Sequence, residues 1–248
     1  MIPLRLKNFH FNWKISLFTL LFFPLFIRLG FWQLEREQEK LDLQSLYESR
    51  QSAETRELGG LDTDSDLQYV NVRVRGHYDN SHTFLLDNKV NEGQAGFEVI
   101  SPFREQGGEL VMINRGWIAS NAYRENLPQA QAIEGEVELS GAIYVPLGEQ
   151  FMLAEEAPGT GWPRIIQSLD MTRMAEALGV ERLFPYTVRL ASFSPGAFVR
   201  NWPVITTTPE RHRGYAVQWF SMAGVLLLLY LYLSTRPEEA EETLHGQE

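Results

Sequence analysis

Residues 68–78 read QYVNVRVRGHY, and here the apolar period is two. Val70, Val72, Val74 and Tyr78 fall on one side of an extended chain, while Asn71, Arg73, Arg75 and His77 fall on the other. Such alternation makes a strand with one buried and one wet face, the pattern of an antiparallel sheet rather than of a parallel one buried on both sides.

Moving outward, FEVISPF (97–103) and ELVMINRG (109–116) are apolar runs joined by REQGG (104–108), a short glycine-bearing connection that reads as a hairpin. VELSGAI alternates again from Val137 to Ile143, and YTVRLASF (186–193) is a further β-branched and aromatic run. DMTRMAEALG (170–179) predicts one short helix with Asp170 as its N-cap and Gly179 as its terminator. The pattern defines a mainly antiparallel β (α+β) domain and is compatible with a partly closed barrel. No internal repeat is visible.

At both ends of the chain the period changes. Ile15 to Leu34, ISLFTLLFFPLFIRLGFWQL, is a twenty-residue apolar stretch with one charge, Arg28, and at helical rise it reaches about 30 Å, one hydrocarbon thickness. Its end, Arg-Leu-Gly-Phe-Trp, lacks the small-x-small pattern of a cleaved signal, so it is expected to remain as an anchor. Tyr215 to Leu233 is a second span with neither charge nor proline, and Thr207-Thr208-Pro209-Glu210 before it supplies helix-start residues. The organisation expected is a cytoplasmic N-terminus (1–14), a first transmembrane helix (15–34), a periplasmic β domain (35–214), a second transmembrane helix (215–233) and an acidic cytoplasmic tail (234–248). Helix is expected to continue past the first span to about residue 50, and GGLDTDSD (59–66) marks the domain boundary. Arg5, Lys7 and Lys14 place the first end in the cytoplasm by the positive-inside rule, and two spans bring the other end to the same side. With no extended transit segment ahead of Ile15, the inner (plasma) membrane of a bacterium is the expected location rather than a mitochondrion.

A formal charge of −10 argues against nucleic acid as a partner, because binding to phosphate backbones draws on clustered Lys and Arg. The sequence contains no cysteine, which excludes disulfides, iron–sulfur clusters and thiolate copper sites. No GxSxG, HExxH or phosphate-binding loop is present. His77, Asp79, His82 and Asp87 could ligate zinc in a metal-dependent hydrolase, although Arg73 and Arg75 beside His77 would repel the ion.

Two stretches near the spans carry more chemistry. Arg28, Trp32 and Arg36 stand at i, i+4 and i+8, one helix stripe of two guanidiniums and an indole; an anion partner and simple snorkelling to the headgroups both account for Arg28. His212, Tyr215, Trp219 and Met222 fall at i, i+3, i+7 and i+10 on one face. That face offers an imidazole for iron and aromatic surface for a planar macrocycle, with Arg211 and Arg213 as partners for carboxylates. Aromatic residues also collect at membrane interfaces without any ligand.

Three stretches together resemble the surfeit locus protein one family: LGFWQLEREQEK (29–40), LLDNKVNEGQAGFEVISPF leading to INRGW (113–117), and HRGYAVQWF (212–220). They occur in the family's order over nearly the whole chain. The resemblance implies a non-enzymatic assembly factor of cytochrome c oxidase that helps haem a reach the catalytic subunit of a haem–copper oxidase. His212 matches the family histidine and is the expected axial ligand of the haem iron, with Tyr215, Trp219 and Phe220 at its aromatic positions. Gly30, Trp32, Gln33, Leu34 and Arg36 match the first block, and Asn114, Arg115, Gly116 and Trp117 the second, where a fold-maintaining turn and a surface for the oxidase subunit are the two readings. Arg28, Arg36, Arg211 and Arg213 are candidate propionate partners. Arginine on both sides of His212 departs from the family, whose members often carry Asn before and Leu after it. Haem a synthase and membrane lipid are further expected partners, and a scaffold that holds the oxidase subunit without touching cofactor is the alternative.

Overall fold

The structure, a computed structural model, describes residues 11–120, 127–146, 161–200, 202–205 and 207–235. Residues 1–10, with Arg5 and Lys7, and 236–248, with nearly all of the acidic tail, lie outside the described residues. The chain forms two compact units, one of residues 1–45 with 204–248 and one of residues 46–203.

The second unit is built around the stretch with alternating valines. Strand β2 (Asn71–Tyr78) buries Val72, Val74, Gly76 and Tyr78, as its period predicts. With β1 (Arg56–Glu57), β3 (Phe84–Asn91), β4 (Gln94–Glu105), β5 (Leu110–Ala119), β6 (Val137–Tyr144), β7 (Arg164–Ile166) and β8 (Thr187–Leu190) it forms one sheet of order β1-β2-β6-β8-β5-β4-β3-β7. A further pairing of β2 with the end of β4, Gly76↔Glu105 to Tyr78↔Phe103, closes β2, β6, β8, β5 and β4 into a five-stranded barrel. Gly76 is required at that closure: a Cβ there would stand 1.9 Å from the Arg104 carbonyl oxygen. The sheet is mixed, since β5·β8, β1·β2 and β3·β7 run parallel.

The barrel is filled by Val72, Val74, Phe103, Val111, Ile113, Leu139, Ile143, Val188 and Leu190. On the outside, Phe84, Leu86, Ile100 and Met112 pack with Ile166 and with Met174 of helix α2 (Met171–Leu178), whose sequence signals hold in full. Asp170 Oδ1 accepts from the backbone N–H of Thr172 and Arg173, and Gly179 takes the left-handed conformation, φ 68°. A third cluster, Leu85, Phe97 and Val99, lies under Leu127, Ala130 and Phe198. Strands β4 and β5 are thus covered on both faces, which is why their sequences are unbroken apolar runs and not alternating ones.

The other unit contains the two long helices. Helix α1 runs from Trp13 to Gln51, capped by Asn12, whose Oδ1 accepts from the N–H of Lys14 and Ile15; its end, from Leu46, belongs to the barrel unit, where Tyr47 meets Tyr69 edge-on at 5.1 Å and Asn71 donates to the Arg50 carbonyl. Helix α3 spans Pro209–Thr235. Both are long and apolar enough to cross a membrane. They lie antiparallel: Ser16 bonds Tyr230 at 3.1 Å, Phe26 packs on Trp219 at 5.7 Å, and Phe31 meets Phe220 edge-on at 5.3 Å.

Candidate functional site

The first and last sequence blocks meet on the α1–α3 pair. Gly30 is the socket for Phe220, since a Cβ on Gly30 would come within 2.5 Å of the Phe220 ring. One turn further along α1, Gln33 Oε1 lies 2.8 Å from His212 Nδ1. One turn beyond that, Glu37 Oε1 accepts from Arg213 Nε at 2.7 Å and from its terminal nitrogen at 2.5 Å. Gly30, Gln33 and Glu37 are spaced i, i+3 and i+7, so one face of α1 carries them all, and all three are buried.

His212 is half-buried, and its Nε2 is enclosed without a hydrogen-bond partner among the described residues. A carboxamide oxygen can only accept, so a ring nitrogen facing it is the donor, and in a neutral imidazole the other nitrogen, Nε2, then holds the lone pair, the form in which imidazole ligates a metal. That orphaned nitrogen fits an iron ligand in kind. It has no exposed surface, so a ligand reaches it only after the groups over it move aside.

The other expected site residues divide. Trp219 lies on the His212 side of α3, with its ring against Phe26. Tyr215, about 60° round the helix, is 52% exposed. Arg213 is paired with Glu37, so its charge is already met within the chain, whereas Arg211 is exposed. On α1 the Arg28–Trp32–Arg36 stripe exists as such, exposed and about 100° round from the Gln33–Glu37 face. Arg36 lies 5.8 Å over the Trp32 ring and bonds Glu39 at 2.7 Å. Sequence reasoning missed Glu37 altogether; its signal was the i+7 spacing from Gly30.

The Asn-Arg-Gly-Trp block lies in the barrel unit and is a β-bulge. Val99 pairs with Gly116 and Ile100 with Asn114, which leaves Arg115 as the extra residue. Gly116 has φ 114°, and a Cβ there would be 2.6 Å from the Val199 carbonyl oxygen. Arg115, 2% exposed, donates to the carbonyls of Gly196 and Gln131 at 2.9 Å each and sits over the rings of Phe198 (4.8 Å) and Tyr78 (5.1 Å). Burial lowers its pKa and raises that of Tyr78. Asn114 donates to Glu98 at 2.6 Å, and Trp117, 8% exposed, donates to the Lys89 carbonyl at 3.1 Å. All four residues are buried and joined to neighbouring strands and loops by these contacts.

Of the candidate zinc cluster, Asp79 and His82 form a 2.6 Å pair against Trp162, while His77 is exposed. Among the described residues no three His, Asp or Glu side chains converge to hold a metal ion. Arg73 and Arg75 turn to Glu138 on the neighbouring strand instead.

A closed five-stranded barrel flanked in sequence by two helices of membrane-spanning length defines the class of protein. Residues 20–224 match the model of the SURF1 family, and the chain belongs to that family. It is 28% identical to human Surfeit locus protein 1 over 220 residues, which cover 82% of this chain and 71% of the human one. It is 26% identical to a SURF1-like protein of Monosiga brevicollis over 83% of this chain and 82% of the other. A bacterial SURF1-like protein, from Rickettsia bellii, is 23% identical over 88% of this chain and 89% of its own length.

Proposed function

We propose that the protein is an assembly factor of cytochrome c oxidase that takes up haem a at His212 and passes it to the catalytic subunit of a haem–copper oxidase. The observation that carries this reading is the partnerless Nε2 of His212 at the edge of the paired helices. Membership of the SURF1 family supports the oxidase role. Bound haem would supply an iron centre for a nitrogen ligand; the chain's own part is to hold His212 as that ligand, to offer the exposed Tyr215 beside it, and to meet propionates with Arg211 and Arg28, Arg36 being engaged by Glu39. Arg213, held by Glu37, serves best as the brace that keeps α3 in register with α1. A single ligand suits a carrier, which must release what it binds, and no turnover is required.

In this reading the protein resides in the bacterial inner membrane with both termini in the cytoplasm and the barrel in the periplasm. Haem a synthase is the natural donor, the oxidase catalytic subunit the acceptor, and lipid the surroundings of the two helices. The bacterial relative supports that setting.

One observation favours a second reading. Trp219 and Arg213, expected at the haem, are used in helix packing, which suits a scaffold for the nascent subunit without cofactor contact. The two readings separate on the oxidase itself. In cells carrying His212→Ala, a haem carrier gives catalytic subunit with reduced haem a per polypeptide, whereas a scaffold gives subunit with its full complement; the latter result rejects the haem role.

A further inference from the structure

We propose that Gln33 is the positioning residue that fixes the tautomer of His212, holding the proton on Nδ1 and leaving Nε2 bare. This rests on the haem reading for its purpose, though not for its chemistry. A neutral imidazole has one N–H and one lone pair, and whichever hydrogen bond one nitrogen makes decides the state of the other. Gln33 Oε1 stands 2.8 Å from Nδ1. If the carboxamide were reversed, its NH₂ would donate to Nδ1 and the proton would move to Nε2, placing an N–H donor where nothing accepts it. Buried N–H groups left without an acceptor are rare in proteins, rarer than under-satisfied acceptors.

Gln33 is itself placed for this task. It is 9% exposed, one turn from the Gly30–Phe220 socket and one turn from the Glu37–Arg213 pair, so the helices are pinned on either side of it. A glutamine at this point of a long helix has no such meaning until α3 is laid beside α1: 179 residues separate it from His212.

The test uses the full-length protein in detergent micelles with ¹⁵N-labelled histidine, the His212 signals being assigned by their loss in His212→Ala. Expected at neutral pH is a protonated, pyrrole-type Nδ1 and an unprotonated, pyridine-type Nε2. Gln33→Glu keeps the acceptor and should keep that pattern. Gln33→Met removes it and should move the proton to Nε2. Titration with haemin gives a second readout: Gln33→Met should bind it about 10–100-fold more weakly, the usual cost of losing a partner behind a metal ligand, while Gln33→Glu stays close to wild type. A protonated Nε2 in the wild-type protein, or an unchanged tautomer in Gln33→Met, overturns the assignment. Should Gln33→Met fail to fold, the wild-type spectrum alone still decides. A bare Nε2 in a protein that takes up no haemin leaves the assignment standing and overturns the haem reading.

Discussion

Arg115 is a buried guanidinium with no carboxylate partner among the described residues. Its charge is met by two carbonyl dipoles and two ring faces, an arrangement in which each acceptor also depends on the arginine. Truncation to Ala would strand the Gly196 and Gln131 carbonyls, at about 1–3 kcal/mol for each unmet group. Arg115→Ala should therefore lower the thermal midpoint by several degrees, measured by circular dichroism, and Arg115→Lys should not rescue it, because a point charge cannot replace the planar fork. A midpoint unchanged by Arg115→Ala would place the residue in partner binding rather than in the fold. Gly116→Ala should cost about 1–3 kcal/mol by the same measurement, since it puts a side chain at φ 114° and against the Val199 carbonyl.

At the scale of the element, the helix pair is held near the candidate site by one socket and two polar contacts, Gln33–His212 and Glu37–Arg213. Gly30→Ala forces Phe220 to give way, and a smaller partner should relieve it. The double variant Gly30→Ala with Phe220→Leu is expected to be more stable in detergent than Gly30→Ala alone, with a coupling of about 1 kcal/mol in a double-mutant cycle. Strict additivity would mean that the two do not meet. Much of this level was legible in the sequence. Alternation marked β2 and β6, and caps bounded α2. Strand β3 escaped because Asn88, at φ 59°, breaks its period where the register against β4 shifts between Leu86 and Lys89. Strands β1 and β7, of two and three residues, are too short to carry a period at all. At the site, His212 stood out as a titratable group at the mouth of an apolar run. Gln33 was named only through the family resemblance, and Glu37 not at all, because a buried face on α1 exists only once a second helix covers it.

For the whole molecule, the sequence blocks that mark the family fall into two separate places. The first and last build the helix pair, and the central one builds the bulge of the barrel. The barrel has its own core and closes on itself without the helices. Residues 46–203 expressed alone should fold with a single cooperative melt and take up no haem; haem uptake by that fragment would move the site away from His212. The most direct measurement is the optical spectrum of the full-length protein purified from cells that make haem a, beside that of His212→Ala. Haem carriage at His212 requires a Soret band in the first that is lost or strongly weakened in the second. Equal bands in both, or a colourless wild-type protein that still carries the oxidase subunit with it, would contradict it.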